Sequence, residues 1–498
     1  MLTQPVVHTT EGTVRGLADR GLAVFRGIRY AQPPVGALRF AAPAPPERWD
    51  GVREAFEFGP VVPQSGPMPA QPTVGTDWLT LNVCTPDPGR AGLPVLFWIP
   101  GGGYISGTAN DPLYDPVELA RSGLVVVSVN YRVGAEGFAL LEGAPANRAF
   151  LDQIAALRWV RRNIARFGGD PDQVTVAGQS AGAGSVAALL TMGEARGLFR
   201  RAIAHSVPGN LCTPALAAEV TAELADLLGT TATAAGLAEA DPWRLAAAVT
   251  DLGAALPQHL ARWGRLAQSG IATVPVVDGE VLTGAPWSVL ASGGAEGVDL
   301  LVGHTRDEFR LFSVLSGRHG AFTDEEARLA LNLFAPSPSG PDDYRAAYPE
   351  ATASDLLEAV GSDALFRMPS LRLAEANTAA AAGGTSYLFE LALPAPAMDG
   401  AFGACHGLDV PLAFGTLDSP VGCHFLGEPP SGEAIRVSQE LRQAWIRFAT
   451  TGDPGWAAFE PERQLTRVLD ATSRTVRYPE QASREIWAGR TLSAYDLR

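Results

Sequence analysis

The fold is decided by QVTVA, Gln173 to Ala177, which runs into GQSAG, Gly178 to Gly182, and on into GSVAALLTM from Gly184. The first segment is a short apolar run of the kind that forms a strand buried on both faces, and the last reads as a helix. A serine at such a strand-to-helix turn, with glycines two before and two after, has the context of a nucleophile elbow. The turn forces the serine into a strained conformation that lifts its hydroxyl above the sheet, and the glycines avoid clashes with the neighbouring strand and helix. Ser180 is therefore the candidate nucleophile. In a chain with 54 Gly the pentapeptide by itself carries little weight; its place after a buried strand supplies the rest. Gly182, Gly184 and Ala187 also match the dinucleotide fingerprint G-x-G-x-x-A, but that unit needs an acidic residue closing the next strand to hold a ribose hydroxyl. The next strand-like run, FRRAIAHS from Phe199, ends in His205 and Ser206, which argues against a nucleotide site.

Outward from the elbow the same pattern repeats. LPVLFWIP (Leu93 to Pro100) and GLVVVSVNY (Gly123 to Tyr131) are apolar runs bounded by Gly and Pro. Asn147 to Phe167 carries Leu151, Ile154, Leu157 and Val160 near one helical stripe and stops at Gly168 and Gly169. Strand alternating with helix predicts a parallel α/β sheet. Gly297 to Val302 and Ser386 to Leu393 would extend that sheet, and Ser438 to Thr450 reads as a late amphipathic helix. The segment Thr213 to His259 is Ala-rich and helical in pattern, so it is expected to be cap material inserted between core elements. Pro33 to Pro46 reads as an extended N-terminal segment, and the charged tail after Pro461 gives no pattern. After LPVLFWIP stand Gly101, Gly102 and Gly103, where backbone N–H groups can point at a tetrahedral oxyanion; Ala181, which follows the nucleophile, should supply another donor.

Composition excludes several classes. All 38 basic residues are Arg, which removes Schiff-base lysines, the Walker A lysine and the S-x-x-K pair. The net charge of −15 repels phosphate backbones, so nucleic acid is not expected as a partner. No run approaches the length of a transmembrane helix, and no secretory signal is visible, so a cytoplasmic address without membrane contact is the expectation. Cys84, Cys212, Cys405 and Cys423 lie far apart without metal or redox spacing and read as small buried hydrophobes. No metal or cofactor is expected.

The chain resembles the type B carboxylesterase and cholinesterase family of the α/β-hydrolases, which includes para-nitrobenzyl esterases. The matching segments are GIRYAQPPVGALRF (Gly27 to Phe40), LTLNV (Leu79 to Val83), WIPGGGYISG (Trp98 to Gly107), NYRVGAEGF (Asn130 to Phe138), LDQIAALRWV (Leu151 to Val160) and FGGDPDQVTVAGQSAG (Phe167 to Gly182). They imply an α/β-hydrolase fold: a mostly parallel central sheet flanked by helices, forming one catalytic domain over 1–498 with cap material around 213–290 and 320–380. The resemblance places the acid at Glu308, in VGHTRDEF, and the base at His406, in GACHGLDVPLAFG. The residues themselves leave this open, because seven histidines (His8, His205, His259, His304, His319, His406 and His424) and two rival carboxylates, Asp307 and Asp409, compete for the roles. Gln179 and Tyr104 are expected in the pocket wall, Gln179 close to His406.

Three departures from the family stand out. Pro100 replaces the histidine that often precedes the triple glycine. Gln179 stands where many members have Glu, which alters pocket charge. Val62 and Trp78 occupy the positions of a cysteine pair that many members join in a disulfide; both partners are missing together, which fits a reducing compartment.

The chemistry implied is hydrolysis of a small-molecule ester by two-step acyl transfer through an acyl-enzyme, with Gly102, Gly103 and Ala181 holding the oxyanion. Two alternatives remain. The same triad can pass the acyl group to another acceptor or act on lactones, and a non-catalytic binding protein of the cholinesterase-like type is also possible in this family. The sequence gives no reading of oligomeric state.

Overall fold

The computed structural model describes residues 4–64, 66, 70–294, 297–380 and 382–498. Its centre is an eleven-stranded sheet. In spatial order the strands are Arg474–Arg477, Leu465–Leu469, Ser386–Leu391, Asp299–Thr305, Arg201–His205, Gly169–Gln179, Leu93–Ile99, Val125–Val129, Thr80–Thr85, Leu22–Arg29 and Leu17–Asp19. From Leu465–Leu469 to Val125–Val129 every neighbouring pair is parallel, and the pairs at both margins are antiparallel. This is the mostly parallel sheet flanked by helices that the resemblance implied.

The apolar runs follow from burial on both faces. In Leu93–Ile99, Val95, Phe97 and Ile99 face one core with Val174 and Val176, while Leu96 and Trp98 face a second core with Ala177, Ile203 and Leu301. A strand with helices on both sides has no solvent face to make polar, so alternation disappears. The helix Arg148–Asn163 covers the first core and tightens into a 3-10 turn, Ile164–Phe167, which ends at Gly168 with φ +88°. The elbow strand is longer than QVTVA, spanning Gly169–Gln179, and its helix begins at Ala181. Helices Pro214–Leu228, Ala234–Ala238 and Pro242–Ala255 fill much of Thr213 to His259.

Three regions differ from the sequence reading. The late helix starts at Gly432, ahead of Ser438, because Ser431 caps it by accepting from the Ala434 N–H. The tail after Pro461 is not structureless: Leu465–Leu469 joins the sheet beside Ser386–Leu391 and pairs in a hairpin with Arg474–Arg477. Its one charged residue, Arg467, reaches Glu440 on the late helix, a tertiary contact that periodicity does not show. In Pro33 to Pro46 the extended backbone is broken by a 3-10 turn at Gly36–Leu38.

The carboxyl ends of Gly169–Gln179, Arg201–His205, Asp299–Thr305 and Ser386–Leu391 lie side by side. Their loops carry Ser180, Ser206, Glu308 and His406 respectively, at the edge of the sheet where ligands of open α/β sheets bind.

Candidate active site

Ser180 has φ +56° and ψ −127°, a conformation costly for a residue with a Cβ. Surrounding structure holds it there: its N–H donates to the His205 carbonyl at 2.9 Å, and its carbonyl accepts from Gly184 N–H at 2.9 Å. The flanking glycines are required by close approach. A Cβ on Gly178 would stand 2.4 Å from the Gly182 carbonyl carbon, and one on Gly182 would stand 2.1 Å from the Ile99 carbonyl oxygen. Ala181 opens the helix Ala181–Leu189, so its N–H is among the first-turn donors without an intrahelical acceptor.

The triple-glycine loop lies directly against the elbow. A Cβ on Gly101 would meet the Gln179 carbonyl oxygen at 2.6 Å and Ser180 Cβ at 3.3 Å. Gly102 has φ +125°, and its carbonyl accepts from the N–H groups of Ile105 and Ser106 and from the Ser106 hydroxyl. The Pro100 carbonyl accepts from the Tyr131 hydroxyl at 2.6 Å, so proline at that position leaves the loop anchored through its backbone. Tyr104, expected in the pocket wall, directly follows this loop. Its side chain is 1% exposed, its ring packs edge-on against Phe138, and its hydroxyl fills the space beside Gly184. It backs the loop from inside the core.

Glu308 and His406 meet. His406 Nδ1 lies 2.5 Å from Glu308 Oε2, and the carboxylate is fully buried. The second oxygen of Glu308 accepts from the Ser206 hydroxyl at 2.6 Å and from the Thr305 N–H at 2.8 Å. Three donors around one carboxylate fix its plane. His406 Nε2 is 3.1 Å from Gln179 Nε2, on the residue adjoining Ser180. With the amide donating, the imidazole carries its proton on Nδ1 and presents the Nε2 lone pair toward the elbow. The rival carboxylates are used elsewhere. Asp307 accepts from the Ala404 N–H at 2.9 Å and faces Arg310, which pins the loop leading to His406. Asp409 turns to His205.

Aromatic and aliphatic side chains complete the surroundings. Phe366 lies over the His406 ring with centroids 4.3 Å apart, and Phe312 stands at 5.7 Å. Ile271 is at the side of Gly103. Sequence reading missed Ser206, Phe312 and Phe366. Phe312 lies four residues beyond Glu308 in a helical turn, which could have signalled a shared face. Phe366 lies in the π-helical turn Asp363–Arg367, whose geometry no periodicity announces. Among the described residues, no group of three or more His, Cys, Asp or Glu could hold a metal ion, and no helix is long and apolar enough to cross a membrane.

Residues 3–485 match the family described as the carboxylesterase family. The para-nitrobenzyl esterase of Bacillus subtilis (strain 168) is 35% identical over 97% of this chain and 98% of its own length. The phenmedipham hydrolase of Pseudarthrobacter oxydans is 36% identical over 91% of each chain. A crystal structure of a Geobacillus stearothermophilus carboxylesterase superposes with a TM-score of 0.86 at 35% identity, covering 97% of this chain and 99% of that one.

Proposed function

The chain belongs to the carboxylesterase family, type B, as a carboxylic ester hydrolase with the α/β-hydrolase fold, and from that premise we propose that Ser180, His406 and Glu308 are its catalytic triad. Ser180 Oγ attacks the ester carbonyl while His406 Nε2 takes the hydroxyl proton. Glu308 holds Nδ1–H and stabilises the imidazolium that forms. The N–H groups of Gly102, Gly103 and Ala181 receive the developing oxyanion, where preorganised donors act most strongly. His406 returns its proton to the departing alcohol, and water, activated by the same imidazole, releases the acid from the acyl-enzyme. No cofactor enters this scheme.

In the resting molecule the Gln179 amide occupies the nitrogen that must accept the serine proton. Substrate entry therefore includes a shift of that amide or of the ring. Phe312, Phe366 and Ile271 suit apolar groups on a small, neutral ester. The observation that carries the reading is the buried Glu308–His406 contact, with the other ring nitrogen of His406 against Gln179, the residue next to Ser180.

The test is a panel of p-nitrophenyl esters together with an organophosphonate label read by mass spectrometry. Turnover with one label per chain on Ser180 is expected. A label on another serine, with Ser180 unmodified, would overturn the triad.

A further inference from the structure

A second histidine–carboxylate pair lies in the same region and has no part in the acyl transfer described above. His205 closes the strand Arg201–His205, and its Nδ1 is 2.6 Å from Asp409 Oδ2. Trp445 Nε1 donates to His205 Nε2 at 3.0 Å, so the ring is neutral with its proton on Nδ1. Both partners are closed off from water, His205 at 1% and Asp409 at 0% exposure. Phe389 and Trp445 pack against the imidazole with ring centroids at 4.5 and 5.2 Å. Asp409 Oδ1 has no hydrogen-bond partner among the described residues.

Stability is a poor account of such a pair. A carboxylate taken out of water with one of its oxygens unbonded is costly, and apolar side chains of similar volume commonly serve a core as well or better. Its position supplies a better account. The His205 carbonyl accepts the Ser180 N–H, and in the parallel register His205 stands beside Gln179. The next residue, Ser206, holds Glu308. Asp409 lies three residues beyond His406, at the start of the helix Asp409–Phe414, with Gly407 at φ +81° between them. His406 is thus bracketed, by the Asp307–Ala404 hydrogen bonds before it and by Asp409 after it.

We infer that His205 and Asp409 are positioning residues, which tie the loop carrying His406 to the strand end that supports Ser180 and so set the aim of the imidazole at the nucleophile. This rests on the triad reading above. The end of the strand Arg201–His205, together with Ser206, bonds Ser180 and Glu308 directly and reaches the loop of His406 through Asp409. A small misplacement of a base is expensive in rate, of order 10²-fold for about 1 Å.

The experiment uses the full chain. His205→Phe alone would leave a buried carboxylate without a donor and could fail to fold, so the informative variant is the double one, His205→Phe with Asp409→Leu, which removes both polar groups. His205→Asn keeps a side-chain N–H donor near the place of Nδ1 and serves as the rescue. The double variant should stay folded with a Tm within several degrees of the parent, since only the Trp445 N–H loses its acceptor, keep KM within about threefold and lose about 100-fold in kcat. His205→Asn should stay within about fivefold of the parent. The downfield proton resonance of His406 Nδ1–H should shift or broaden in the double variant and return in His205→Asn. A folded double variant with parental kcat would overturn the inference, and so would a loss that follows the unfolded fraction. The phosphonate label separates the two readings: with Ser180 labelled in the parent, an unaffected double variant overturns the positioning role alone, whereas a parent labelled elsewhere overturns both.

Discussion

His406–Glu308 and His205–Asp409 are nearly the same object in bond lengths, 2.5 and 2.6 Å, and in burial of the carboxylate. They differ at the other ring nitrogen. His205 Nε2 is closed by an indole N–H inside an aromatic core, while His406 Nε2 faces the elbow and is held by the side-chain amide of Gln179. A carboxylate behind an imidazole therefore does not make a base. A second nitrogen that can reach a proton to be moved does. His304 marks the third case, buried without a carboxylate, with Nδ1 on the Thr305 carbonyl and Nε2 on the Tyr478 hydroxyl; burial lowers it to about 3.

The largest expected effect breaks the comparison at Ser180, the proposed nucleophile. Ser180→Ala should reduce kcat for a p-nitrophenyl ester by on the order of 10⁴-fold or more. Activity persisting in that variant would mean that the imidazole facing the elbow serves no serine there. Next, Glu308→Gln should cost on the order of 10³-fold in kcat with the fold intact, because an amide neither holds the tautomer nor stabilises the imidazolium. Asp307→Asn, which alters only the anchoring of the loop, should cost far less, and a reversed ranking in steady-state kinetics would exchange their roles.

Gln179→Glu sharpens the contrast at the open nitrogen. A carboxylate about 4 Å from the imidazolium at an effective dielectric near 20 contributes about 4 kcal/mol before screening. It favours the protonated ring, and the base must be neutral to work, so the acidic limb of the pH profile should move upward by about one unit or more. Cationic esters should gain over neutral isosteres. An unmoved limb with unchanged charge preference would show that this side chain leaves the imidazole before chemistry.

The smallest effect on turnover belongs to His304. Its folded value lies below the unfolded value of about 6.5, so the stability linked to it is present above that pH and is lost as pH falls toward 3. At pH 5 the loss is about 2 kcal/mol. His304→Gln should flatten the fall in denaturant midpoint between pH 6.5 and 4 while leaving kcat at neutral pH close to parental. An identical acid fall in that variant would place the titrating group elsewhere.

The elbow was legible because its constraints are local. Gly178, Ser180 and Gly182 sit within five residues, and the clashes that demand glycine come from the adjoining helix and strand. The parallel strands were legible because burial on two faces leaves continuous apolar runs. Leu465–Leu469 was not, since a short strand near the sheet margin with Arg467 in it owes its place to pairing and to Glu440. The antiparallel margin at Leu22–Arg29 likewise depends on partners far away in the chain.

The residues by themselves determined that this chain builds a doubly covered α/β sheet with a serine lifted at a strand-to-helix turn, and the resemblance they carry pointed to ester chemistry. Local sterics and hydrophobic periodicity are written within a few residues, so a sequence displays them. Only the tertiary structure decided which of seven histidines and three carboxylates converge. Their distinction lies in what each second oxygen or nitrogen touches: Ser206 and Thr305 for Glu308, Gln179 for His406, Trp445 for His205. Those partners come from strands and helices up to 240 positions apart, and a hydrogen bond closed by folding leaves no periodic trace in the chain that makes it.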